Sequence, residues 1–255
     1  MKYLINFIFL IGVFSCKQQK DAKEQSISLR ETTATFDTSS GISSSNNFTQ
    51  LNTTPNDLVL TGNDKIRLLP IYKIPPSHDK NILYDQGTSF DNEKEILKED
   101  DYRYYMPGID IIKGYNLVNI GHYNSDKGLL SYFFKKPVLV RTLYFPGVHK
   151  DSLGKKEVNR NFFLVSVYNE DTNHDSLINN KDYRRLFYFD ILNETQISLL
   201  PTDYSAIRSS YDFKNDIMTI RARKDENKNG DLEKSEPISI FLLDFKNPTI
   251  LKQVY

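Results

Sequence analysis

Two stretches of this chain set oxygen-bearing side chains at alternate positions, a pattern suited to holding a hard divalent cation. In the first, Asp171, Asn173 and Asp175 alternate, so their side-chain oxygens can converge on one point. Leu177 offers its backbone carbonyl, Asn179 acts directly or through a water, and Asp182 closes the shell. In the second, Asp225, Asn227 and Asn229 alternate. Asp231 offers its carbonyl, Glu233 acts directly or through a water, and Glu236 can bind with both carboxylate oxygens. Gly230 supplies the sharp turn, because glycine takes φ > 0 without steric cost. Ile178 and Leu232 occupy matching apolar positions, expected to pin each loop to the body of the protein. Calcium takes six to eight oxygens in a flexible cage. The chemistry read here is therefore calcium binding at 171–182 and 225–236.

The spacing of both stretches resembles an EF-hand loop, and the first is closer to the dockerin variant, which favours Asp at the last position. Ser176 stands where that pattern usually has glycine, and weaker binding is expected there. A pair of ordinary Asx-rich turns would explain one such match, since Asn and Asp favour turns for local reasons. It explains two less well, because both fall in phase with a repeat. Asp225 lies 54 residues after Asp171, and the same offset carries Asp182 onto Glu236 and Asp190 onto Asp244. The repeated unit reads as strand, calcium loop, strand, turn.

The flanks of the loops decide the architecture. Phe162-Phe163-Leu164-Val165-Ser166-Val167-Tyr168 leads into the first and Ile217-Met218-Thr219-Ile220-Arg221 into the second. Their β-branched and aromatic content favours strands. Pro237 follows Glu236 where an exiting helix would be under way, and proline is poorly tolerated past a first helical turn. Elsewhere, short apolar runs cut by Gly, Pro, Asn and Asp predict strands at 65–74, 116–123, 129–134, 138–145, 161–168, 185–192, 216–223 and 238–245. Only 92–99 looks helical. Residues 116–145 read as a weaker earlier unit, with a short turn at 124–128 in place of a metal loop. The expected fold is all-β, an antiparallel repeat array that is either a small propeller or a set of stacked sheets, with the calcium loops in strand connections. About 200 residues at about 45 per blade allow about four blades. The alternative is α+β, with paired EF-hand helices at the C-terminal end.

The N-terminus carries an address. Met1-Lys2 precedes an uncharged, largely apolar stretch that ends in Val13-Phe14-Ser15-Cys16. It is shorter than the about 20 apolar residues a spanning helix needs and has the length of a signal-peptide core. The ending resembles a bacterial lipobox, and that resemblance implies cleavage and lipidation at Cys16. More than one acyl chain gives durable anchoring. The expected location is a bacterial cell envelope, on the outer membrane, facing the periplasm or the surface. Residues 1–16 are thus a signal peptide, 17–55 a polar tether and 56–255 the β-rich domain. The tether is dense in Ser, Thr, Asn, Gln and Lys, which bury too little surface to offset their ordering entropy. A sorting signal in Lys17-Gln18-Gln19-Lys20-Asp21 is the other reading of its start.

Composition narrows the function. Cys16 is the single cysteine, which excludes catalytic-cysteine, thiolate–zinc and iron–sulfur chemistry in the mature chain. Lys plus Arg equals Asp plus Glu at 33 each, against the basic excess of a nucleic-acid binder. His78, His122, His149 and His174 show no metal-ligand spacing, and no nucleophile elbow or phosphate loop appears. Asp100, Asp101 and Asp110 near Tyr102-Arg103-Tyr104-Tyr105 would suit a sugar site, but sheet packing explains them as well. The favoured expectation is a non-enzymatic, lipid-anchored calcium protein that binds a protein or polysaccharide. The alternative is a hydrolase on a propeller-like scaffold, its catalytic residues unknown.

Overall fold

The computed structural model describes residues 27–28, 51–73, 106–113, 116–175, 177–191 and 195–255. Among them every regular element is a strand. The first nine are β1 (Ile27–Ser28), β2 (Thr53–Pro55), β3 (Val59–Leu60), β4 (Ile66–Lys73), β5 (Ile109–Lys113), β6 (Leu117–Asn124), β7 (Leu129–Tyr132), β8 (Leu139–Pro146) and β9 (Asp151–Leu153). The rest are β10 (Lys156–Val158), β11 (Phe162–Tyr168), β12 (Leu177–Ile178), β13 (Arg184–Asp190), β14 (Gln196–Ser198), β15 (Tyr204–Asp212), β16 (Ile217–Lys224), β17 (Ile238–Asp244) and β18 (Leu251–Gln253). All ladders are antiparallel. The all-β expectation holds. Paired EF-hand helices are not what flanks the loops, since strands do. The stretch at 92–99 and Cys16 lie outside the described residues.

Three sheets carry the fold. The first runs β2-β4-β6-β7 with β3 also on β4; the second runs β14-β13-β11-β8-β5; the third is the meander β15-β16-β17-β18. The second sheet is the middle layer. Alternate residues of a strand point to opposite faces, and β11 uses both. Phe163, Val165 and Val167 join a core with Ile66, Leu68, Leu117 and Ile120 of the first sheet. Phe162 and Leu164 join a second core with Met218, Ile220, Phe241 and Leu243 of the third. Burial on both faces is why 162–167 is a nearly unbroken apolar run. Each such Leu, Val or Phe contributes about 1.5–3 kcal/mol. β16 faces a core on one side only, and its burial alternates accordingly.

Two expectations shift. Residues 116–145 are not one unit: β6 and β7 belong to the first sheet, whereas β8 belongs to the second. The turn at 124–128 is present, with the Asn124 side-chain oxygen accepting from the amides of Asp126 and Lys127 and Gly128 at φ +60°. Ordered β structure also begins ahead of residue 56, because Leu51 is buried and β2 pairs with β4. Within the stretch read as tether, Ile27 and Ser28 pair with Ile178 and Leu177.

Candidate metal centre

Each predicted loop connects two strands of a hairpin. The first leaves β11 and returns as β13, closed by the rung Tyr168↔Arg184. The second leaves β16 and returns as β17, closed by Arg223↔Ile238. Pro237 lies on the return path, and its carbonyl accepts the Lys224 amide at 3.0 Å. Phe163↔Phe189 in one hairpin corresponds to Met218↔Leu243 in the other. A strict 54-residue offset would put Ile217 opposite Leu243, so the second hairpin is one residue out of phase.

In the first loop, the Asp175 amide donates to the side-chain oxygens of both Asp171, at 3.1 Å, and Asn173, at 3.2 Å. Two predicted ligands therefore stand together. Asp175 turns its own carboxylate onto the Leu177 amide at 2.9 Å. Asp182 closes the loop by accepting from the amides of Thr172, at 2.8 Å, and Asn179, at 2.7 Å. Asn179 is buried, and its side-chain oxygen accepts the Lys181 amide. Ile178 is buried with Leu51, with Ile71 and Val118 of the first sheet and with Leu139 of the second, which fixes the loop to the body of the protein.

The second loop closes in the same way. Glu236 accepts from the amides of Glu226, at 3.1 Å, and Glu233, at 2.9 Å, so the last carboxylate joins positions two and nine in both loops. Asp225 receives the Lys228 amide at 2.7 Å and the Gly230 amide at 3.0 Å. The side-chain amides of Asn227 and Asn229 both donate to Glu233 Oε1. Asn229 Oδ1 accepts the Asp231 amide. The Asp231 side chain is exposed, and Leu232 is half-buried. Gly230 adopts φ +84°, as its turn requires.

Burial singles out three of these residues. Asp182, Asp225 and Glu236 are 1%, 4% and 8% exposed. None of the ion pairs among the described residues involves them. Burial pushes the Asp182 carboxyl up against the pull of the Asn179 and Thr172 amides, and the Asp171 charge pushes the same way as burial. A buried carboxylate without a countercharge is costly. No three Asp, Glu, His or Cys side chains among the described residues stand close enough to hold an ion by themselves. The remaining donors would be Asn side chains and main-chain carbonyls. That all-oxygen set suits a hard cation rather than a soft one.

The loops also touch each other, through Tyr183 and Thr172, which the sequence does not single out. Tyr183, directly after Asp182, donates its hydroxyl to Asp225 Oδ2. Thr172 Oγ1 lies 3.0 Å from the Gly230 carbonyl and accepts the Tyr183 amide at 3.1 Å. A Cβ on Gly230 would collide with the Thr172 carbonyl. The repeat gives no hint of this, because Tyr183 lies over Pro237 and Thr172 over Glu226. Between the loops is a cavity of about 740 Å³ lined in part by Glu170, Asp171, Asp203, Asp225 and Lys228.

A second cavity, about 560 Å³, lies between the first and second sheets. Its walls include Phe133, Phe134, Phe163 and Phe189, with Asp190 the only carboxylate among the described residues that line it. His122 lines it and packs edge-on to Phe163. Asp110 has its carboxyl raised by burial, with His149 pulling it back. Asp100, Asp101 and 102–105 lie outside the described residues. No family model matches the chain, and no curated protein matches it in sequence.

Proposed function

We propose that this chain is an exported, lipid-anchored calcium-binding protein of a bacterial cell envelope, a binding or structural module in which calcium stiffens two hairpin connections. The observation that carries the metal is the burial of Asp182, Asp225 and Glu236 with no cation paired to them among the described residues. A divalent ion offsets that burial, and the oxygen donors of 171–182 and 225–236 suit it. Affinity in the range of about 10⁻⁴ to 10⁻³ M fits an extracellular module. The anchor rests on residues 1–16 with Cys16 as the lipid site, and the partner is a protein or a polysaccharide. The shared order of strand, loop, strand and turn supports reading β11–β14 and β16–β18 as successive units of a propeller-like or stacked array. A hydrolase reading would draw on the carboxylates around the cavity between the loops, Glu170, Asp171, Asp203 and Asp225, of which this proposal gives Asp171 and Asp225 to the metal.

Thermal melting under calcium titration tests the reading. Calcium should raise the midpoint, a chelator should reverse the gain, and Asp171→Ala with Asp225→Ala should abolish it. A midpoint indifferent to both calcium and chelator rules out the metal.

A further inference from the structure

We propose that the two loops form one composite unit, in which Tyr183, directly after the first, positions the leading carboxylate of the second, so that calcium binding at the two is positively coupled. This rests on the calcium reading above. Asp225 Oδ1 takes the Lys228 amide, and Oδ2 takes both the Gly230 amide and the Tyr183 hydroxyl. Two of these three donors come from the second loop's own backbone. The third comes from Tyr183, the residue directly after the first loop. A carboxylate offers about four lone-pair sites, so these bonds orient Asp225 and leave capacity for a metal. Without the hydroxyl, the carboxylate keeps its burial and loses one of three restraints.

Tyr183 is well placed to transmit the state of the first loop. It is bonded to Asp182, whose carboxylate ties positions two and nine of that loop together. Its amide donates to Thr172 Oγ1, which itself reaches the Gly230 carbonyl. Its ring is buried, with the Arg185 guanidinium 5.0 Å from the ring centroid. Arg185 is fixed in turn by donating to the Tyr204 carbonyl at 2.9 Å. An ion that orders Asp182 therefore also orders the donor to Asp225. By linkage, an ion held by Asp225 favours the closed first loop to the same degree. Gly230 is glycine for two reasons, its φ of +84° and the close passage of Thr172.

Calorimetric calcium titration of the full chain tests this. Tyr183→Phe keeps the ring and removes only the hydroxyl, and a hydrogen bond to a charged group corresponds to roughly tenfold or more in affinity. In an Asp171→Ala background, where only the second loop reports, Tyr183→Phe should add little, because the first loop no longer orders the tyrosine. With both loops intact, Tyr183→Phe should weaken the second loop roughly tenfold and reduce the coupling between the two sites. In an Asp225→Ala background it should leave the first loop unchanged. Thr172→Val, which removes the other tie, should also reduce the coupling. Two calcium ions bound independently in the wild type, or second-loop affinity within about twofold in Tyr183→Phe, overturns the coupling and leaves the calcium reading standing. No calcium uptake by the folded wild type overturns both.

Discussion

Arg160 and Asp216 form a two-pronged ion pair between the second and third sheets, with Nη1 and Nη2 at 3.0 and 2.8 Å from the two carboxylate oxygens. Both side chains are 4% exposed. Arg160 directly precedes the approach to β11, and Asp216 directly precedes β16. Tyr211 adds a hydroxyl hydrogen bond to Asp216 at 2.6 Å, and the Arg160 side chain also donates to the Pro107 carbonyl. Every polar prong of this buried group thus has a partner, as a low-dielectric site demands.

Removing one partner strands the other charge. Asp216→Ala is expected to cost about 3–5 kcal/mol of stability, as for other broken buried pairs. Urea unfolding measures it. A loss below about 1 kcal/mol would mean that the pair is solvated in solution.

The same pair sets a pH dependence. Burial pushes the Asp216 carboxyl up, but the hydrogen bonds from Arg160 and Tyr211 and the guanidinium charge outweigh it and hold the group below its usual value. A depressed carboxyl stabilises the fold above the unfolded value of about 4, and that contribution is lost as pH falls through the lower folded value. Melting temperature should drop below about pH 4 in the wild type. In Asp216→Asn, which also tolerates the positive φ of +62° at this position, the drop should be shallower from a lower start. Parallel acid limbs for the two proteins would count against the assignment.

Gly230 and Gly128 separate strain from collision. Both have positive φ, at +84° and +60°. A Cβ at Gly128 meets nothing within 4 Å, whereas one at Gly230 meets the Thr172 backbone. Gly128→Ala should cost about 1 kcal/mol from its backbone conformation alone. Gly230→Ala should cost clearly more and should loosen the contact between the loops. Equal melting shifts for the two variants would mean that the loops do not meet there.

Cys16→Ser should release the protein from membrane fractions into the soluble fraction, since more than one acyl chain is needed for lasting anchorage. Continued sedimentation with membranes would remove the lipid anchor from the proposal.

Much of the fold is legible because its strands bury apolar residues. The eight predicted strands correspond to β4, β6, β7, β8, β11, β13, β16 and β17, with bounds displaced by about one or two residues. β5 and β15 escape the sequence reading although they bury Ile112, Tyr204 and Tyr211, because their apolar residues follow no clean alternation, whereas the other unpredicted strands are two or three residues long. β9 and β10 form an exposed hairpin, and β15 exposes Ile207, Arg208 and Ser210 in its middle. In the site, the spacing of carboxylates marks both loops, because a single-loop pattern is local. The link from Tyr183 to Asp225 spans 42 residues and depends on how the second and third sheets stack. No spacing within either loop encodes that. The pairing of Ile27 and Ser28 is equally silent, because two residues in a polar segment carry no periodicity.

β5 lies between β4 and β6 in the chain, yet those two strands belong to the first sheet and β5 is the edge of the second. The chain thus visits the second sheet and returns before building it. No single cut separates those two sheets into self-contained pieces. The third sheet is different, because all its strands lie between residues 204 and 253. It is the natural unit of partial unfolding, fastened to the rest by its shared core, by Arg160 on Asp216 and by Tyr183 on Asp225. Hydrogen exchange should find β16 and β17 opening together, ahead of β6, β8 and β11.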